Sequence, residues 1–216
     1  MGVERLGDKE KENKKATEIK TFPVPFALEK IKDNVSTNTT TKFSKEQILN
    51  QALQFHSKGN ISEAVKYYQH FIDQGFNDHR VFSNYGLILA GYGKLKEAEI
   101  LTRKAIEIKP DFAKAYSNLS NILSDLGYLE KGEIFIRKSI KLEPDCAENY
   151  LNLGVTLKAL GKLEEAEICT RKAIDLKPDL LEAYCNLGKL LRDLGKLKEA
   201  EISTRKAIEL NPDLSE

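Results

Sequence analysis

Between residues 147 and 180 the apolar positions follow the period of a helix twice. Tyr150, Leu153, Gly154 and Leu157 fall at i, i+3, i+4 and i+7, the spacing that lines one face of an α-helix. Beyond Gly161, a second stripe runs through Leu163, Ala166, Thr170, Ala173 and Ile174. Gly161 stands where a glycine ends a helix, and Pro178 forbids the second helix from continuing. Asp145, followed by Glu148 three residues later, predicts a capping box at the start of the first helix. Gly154 and Ala166 are predicted to face each other at the crossing, where the absence of side chains lets two helices approach closely. The pattern is a tight pair of helices.

The same pattern recurs every 34 residues, marked by Pro-Asp pairs at 110/111, 144/145, 178/179 and 212/213. Counting back from these pairs gives units at 45–78, 79–112, 113–146, 147–180 and 181–214. The first is degenerate: Ile48 replaces the aromatic residue of the others and Phe76 replaces the proline, while Ala52, Gly59 and Ala64 keep the phase. Gly132 stands where the other units have Ala98, Ala166 and Ala200. A glycine inside a helix costs about 1 kcal/mol against alanine, so 113–146 is expected to be the softest unit. Residues 1–44 follow a different rule. They begin with a Lys-, Glu- and Asn-rich stretch too polar to pack. The extended segment Phe22-Pro23-Val24-Pro25-Phe26 and a Ser/Thr/Asn linker come next. This region is expected to be a disordered polar tail carrying one apolar segment that can reach the chain's own groove.

A 34-residue period with an aromatic, Gly, Gly, Ala and Pro in fixed order resembles the tetratricopeptide repeat family over residues 45–214. The resemblance implies an all-α, right-handed α-solenoid whose first helices line a concave groove, and a protein–protein interaction scaffold as its function. Units carrying Glu-Ala-Glu-Ile and Arg-Lys-Ala-Ile are also similar to those of bacterial proteins in which such repeats precede a sulfotransferase domain. The alternative is therefore a substrate-recognition arm of a larger transferase, a sulfotransferase or a glycosyltransferase.

Asn50, Asn84, Asn118, Asn152 and Asn186 occupy one position of every unit. Asparagine is a mediocre helix former, so a row of five asks for a reason. An amide has two donors and an acceptor and can pair with the backbone of an extended peptide. The row is similar to the asparagine ladder in the repeat arm of O-linked N-acetylglucosamine transferases; the competing reading is a bond to the adjacent repeat's backbone. Around it the predicted groove positions vary: Arg80 and Ser83; Lys114, Ser117 and Asn121; Glu148 and Leu151; Glu182, Cys185, Lys189 and Arg192. The candidate peptide-binding set is the asparagine row with Lys114, Asn121, Lys189 and Arg192. Lys114 and Lys189 are also the candidates for clamping a peptide carboxylate, although the full Lys, Asn and Arg set of chaperone-binding repeats is missing. A second row, Ile100, Ile134, Ile168 and Ile202, lies about 200° from the buried stripe and is flanked by Arg-Lys pairs. It either docks another domain or is covered by the stems of those cations.

Composition narrows the function further. Charge is balanced, 34 Lys and Arg against 33 Asp and Glu, so no basic field is present to hold nucleic acid. No apolar run approaches a membrane span and no signal-peptide core is present, which points to a cytoplasmic protein. Cys146, Cys169 and Cys185 form no Cys-x-x-Cys, and His56, His70 and His79 sit at different offsets. No phosphate loop, catalytic set, metal site or cofactor is expected. A protein or peptide is the expected partner. The last unit has no successor to cover Leu197, Ala200, Thr204, Ala207 and Ile208, so the chain is expected to belong to a longer array or to self-associate through this end.

Overall fold

The computed structural model describes residues 44–211. The tail and its Phe22–Phe26 segment lie outside them, as does the final Pro-Asp pair. The described residues form ten α-helices in five antiparallel pairs, with no strand among them. The pairs are α1 (Lys45–Ser57) with α2 (Ile61–Asp73), α3 (His79–Gly91) with α4 (Leu95–Ile108), α5 (Ala113–Asp125) with α6 (Leu129–Leu142), α7 (Ala147–Ala159) with α8 (Leu163–Leu176), and α9 (Leu181–Asp193) with α10 (Leu197–Leu210).

The helix ends follow local chemistry. Gly161 adopts φ +75°, and Lys162 N–H reaches Leu157 C=O at 2.9 Å while Gly161 N–H reaches Lys158 C=O at 3.0 Å, the paired bonds of a Schellman closure. The corresponding glycines 59, 93, 127 and 195 share the left-handed conformation. Helix starts differ along the chain. At α1, Ser44 Oγ accepts from Gln47 N–H and Gln47 Oε1 accepts from Ser44 N–H, a complete capping box. Asp78 caps α3. The box predicted at Asp145 and Glu148 does not form: the cap of α7 is Cys146, and its side chain caps nothing. Asp145 belongs instead to the turn that Pro144 begins, one residue too early to cap. Proline favours the first central position of such a turn, and the sister turns close with Phe112 N–H to Lys109 C=O and Leu180 N–H to Lys177 C=O, both 3.1 Å. Glu148 is thereby released to accept from Lys177 Nζ at 2.9 Å.

Close approach within a pair rests on a glycine opposite a threonine. A Cβ on Gly154 would lie 2.6 Å from Thr170 Oγ1 and 3.3 Å from the carbonyl oxygen of Ala166. The partner of Gly154 is thus Thr170, with the Ala166 backbone beside it, and Thr170 donates its hydroxyl to that same carbonyl at 2.8 Å. Gly86 with Thr102 and Gly188 with Thr204 repeat the arrangement. The unit 113–146 inverts it. Ser120 replaces the first-helix glycine, Gly132 replaces the second-helix alanine, and Ser120 Oγ donates to Gly132 C=O at 2.7 Å. A Cβ on Gly132 would lie 2.7 Å from Ser124 Oγ and 3.1 Å from the Ser120 carbonyl. Gly132 is fitted to this crossing, where an alanine side chain would meet the Ser124 hydroxyl. The degenerate first unit is a complete helical pair, with Tyr68 and Phe71 fully buried and Phe76 packed on Phe71 at 5.4 Å where the other units turn at proline.

The units stack as wedges. First helices of successive units touch one another, α1 with α3, α3 with α5, α5 with α7 and α7 with α9, whereas the backbones of successive second helices stay apart. Stacking of this kind bends the array toward its first helices, which makes their shared face the concave one.

Candidate functional site

The asparagine row lies along that concave face, but much of it is turned to holding the array together. Asn118 Nδ2 donates to Ser83 Oγ at 3.0 Å and Asn152 Nδ2 donates to Ser117 Oγ at 3.3 Å, each crossing to the preceding unit. Asn84 Nδ2 donates to Tyr68 Oη at 3.3 Å, and Tyr68 Oη lies 2.8 Å from His56 Nδ1. With Asn84 as donor to it, the phenol is free to donate to the imidazole. Burial, with Lys114 nearby, holds His56 below its ordinary pKa. No such bond forms at Asn186, because the preceding unit has Leu151 in place of serine. Asn50 is exposed in the first unit. The partners are side chains, not the backbone of the neighbouring repeat.

Ser83, Ser117 and Leu151, read from the sequence as groove positions, are buried between units and face no open groove. Their place, one residue before the asparagine, puts them under the next first helix. Lys114, Asn121, Lys189 and Arg192 are exposed on α5 and α9. Leu87 and Val155 lie exposed at the positions equivalent to Asn121 and Lys189, so this row mixes apolar, amide and cationic side chains.

The opposite face carries a ladder of charges. Glu133 accepts from Arg137 of its own helix and from Lys162 Nζ of the next unit at 2.7 Å; Glu167 does the same with Arg171 and Lys196 Nζ at 2.7 Å. Arg137 and Arg171 also reach forward to Glu165 and Glu199. The lysine bonds, with the arginines behind them, hold Glu133 and Glu167 below the usual carboxylate range. The junction between the second and third units lacks this ladder. Where the later units have Lys162 and Glu165, the third has Tyr128 and Lys131. Arg103 there lies over the Phe135 ring at 5.5 Å, and Lys131 over Tyr128 at 4.9 Å. Ion pairs are exchanged for cation–π contacts. Because the cations lean toward carboxylates and rings, they leave the isoleucine row bare: Ile100, Ile134, Ile168 and Ile202 are 67, 65, 68 and 69 % exposed. The stems do not cover them.

Among the described residues no cluster of three or more His, Cys, Asp or Glu is placed to hold a metal ion, and no helix is long and apolar enough to cross a membrane.

No curated protein matches this sequence. Among solved structures it is similar to MamA, at 20 % identity over 79 % of this chain and 93 % of that one, with a TM-score of 0.63. It is also similar to MamA from residue 41 onward of Desulfovibrio magneticus RS-1, at 21 % identity over 78 % and 96 %, TM-score 0.67. A thermophilic TPR protein of Thermus thermophilus aligns at 21 % identity over 78 % and 92 %, TM-score 0.67. At these identities the likeness is one of fold. Residues 113–146, 147–180 and 181–214 each match a tetratricopeptide repeat family model. With these matches and the five stacked helical pairs together, the chain is a tetratricopeptide repeat protein, an α-solenoid.

Proposed function

We propose that the array is an interaction scaffold whose concave first-helix face takes an extended peptide carrying carboxylates. One contrast carries this reading. On the second helices the arginines are engaged: Arg103, Arg137, Arg171 and Arg205 each pair with a glutamate one turn earlier. On the first helices Lys114, Lys189 and Arg192 are exposed and belong to none of the ion pairs among the described residues. Unpaired cations along a groove favour a chain with negative charge at matching intervals. Asn121 adds an exposed amide between them. Asn186 and Asn50 offer further amides, and the half-buried Asn84 and Asn152, which give one N–H each to a neighbour, keep a carbonyl oxygen for the ligand. Such a site grips backbone generically and reads acidic side chains locally. The test is selection of peptides from a random display library, followed by photo-crosslinking of the winners. Crosslinks on α5, α7 and α9 support the reading; crosslinks confined to the second helices sink it.

A second reading rests on its own observation. Thr102 and Thr170 are buried, yet their counterpart Thr204 is exposed, and Leu197 is 65 % exposed. This apolar flank of the α9–α10 pair supports self-association. Sedimentation velocity should show a concentration-dependent species that Leu197→Lys removes; a monomer at every concentration refutes it.

A further inference from the structure

The splaying of successive second helices leaves a cleft between each two of them, floored by the first helix in between. One position of the second helix faces these clefts, occupied in turn by Leu101, Phe135, Cys169 and Ser203. Between α4 and α6 the Phe135 ring fills the space. It stacks on Tyr116 with centroids 6.2 Å apart and an interplanar angle of 23°, and the Arg103 guanidinium lies 5.5 Å from its centroid. Between α6 and α8 the smaller Cys169 packs against Leu153 and Leu157.

Two repeats after Phe135, the walls return and the plug is missing. Tyr184 stands for Tyr116, Arg171 for Arg103, Ile174 for Ile106, and Leu187 and Leu191 for Leu119 and Leu123, while Ser203 replaces Phe135. The result is an open cleft of about 610 Å³ lined by these residues, within the size range of ligand sites. Its rim cations are already paired: Arg171 with Glu199 at 2.6 Å, Arg205 with Glu201 at 2.8 Å and Lys206 with Glu209 at 2.9 Å. No free cation is left there to hold an acidic occupant, and the floor is apolar. The exposed Ile202 extends the apolar lip.

We propose that the α8–α10 cleft is a docking site for a phenylalanine side chain presented by a partner protein. The molecule itself supplies the argument, since its own phenylalanine fills the equivalent cleft between an equivalent tyrosine and an equivalent arginine. An incoming ring would stack on Tyr184 beneath Arg171 and lose its apolar surface to Ile174, Leu187 and Leu191. This site lies on the convex face and stands or falls independently of peptide binding in the concave groove.

The experiment is an NMR titration of the full chain with N-acetyl-phenylalanine amide, against N-acetyl-alanine amide as the control. Saturable shifts confined to Tyr184, Leu187, Leu191 and Ser203, absent with the alanine compound, are expected. Ser203→Phe should weaken them by roughly tenfold or more, as the grafted ring occupies the site. Ser203→Ala should retain them. Phe135→Ser should create a second saturable set around Tyr116, a gain that loss of folding cannot mimic. Shifts that fail to saturate, or that persist unchanged in Ser203→Phe, overturn the proposal. So does a wild-type cleft that opens to the ligand only after Phe22 and Phe26 are both replaced by alanine, or whose signals move with protein concentration alone. The occupant would then be the chain's own segment or a second copy.

Discussion

Asn118 donates its amide to Ser83 Oγ at 3.0 Å, a buried bond between residues 35 apart that ties α5 to α3. Because the amide is buried, removing it leaves a hydroxyl without its partner. Asn118→Ala should therefore destabilise the array by about 1–3 kcal/mol. Asn186, which has no serine opposite, should tolerate alanine within about 0.5 kcal/mol. Urea unfolding of both variants checks this; equal losses would show that the row is not an inter-repeat tie.

The crossing of α5 and α6 holds the one buried side-chain oxygen without a hydrogen-bond partner among the described residues, Ser124 Oγ. It also lies where a Cβ on Gly132 would go. Ser124→Ala should raise stability by about 0.5–1.5 kcal/mol, through better helix propensity and the loss of an unsatisfied hydroxyl. Gly132→Ala alone should fail to deliver the roughly 1 kcal/mol that propensity offers, because the hydroxyl obstructs it. On the Ser124→Ala background it should gain more than alone. Thermal melts of the two single variants and the double close this cycle, and strict additivity would contradict the packing described.

Acid should act first on the N-terminal units. His56 and His79 are held below their ordinary value of 6.5, in both cases chiefly by burial. A histidine with a depressed native pKa leaves stability intact above 6.5. Below it the unfolded chain takes up a proton that the native one refuses, and stability falls until the native pKa is passed. The lowered carboxylates, Glu133, Glu148 and Glu167, add their loss only at lower pH, through their own native range. Stability measured across this range should thus decline in two stages. His56→Gln combined with His79→Gln should flatten the first stage and leave the second; an unchanged profile would show that these imidazoles do not couple to folding.

The helices were legible in the sequence because glycine and proline act locally. Gly161 closes a helix and Pro178 stops the next wherever they stand, and even the degenerate first unit kept the phase through Ala52, Gly59 and Ala64. The capping of α7 was misread because Pro144 shifts the turn by one residue, which moves Asp145 out of reach. The role of the asparagine row was half visible. Its regularity was plain, but Ser83 and Ser117 become meaningful only when residues 35 apart are compared, one more than the period. Charge pairs such as Lys162 with Glu133 hide in the same way, behind offsets set by how units stack. The series Leu101, Phe135, Cys169 and Ser203 is printed in the sequence, yet it reads as ordinary variation until the second helices are seen to stand apart.

The claim that the concave face reads an acidic extended peptide is tested most directly by fluorescence anisotropy with a labelled peptide from the display selection. The affinity of the wild-type chain is compared with that of Lys114→Glu, Lys189→Glu and Arg192→Glu combined, with circular dichroism to confirm unchanged helicity. Reversal of three cations facing carboxylates should weaken binding by at least roughly a hundredfold, and added salt should weaken the wild-type complex in the same direction. Undiminished affinity in the folded triple variant would contradict the account.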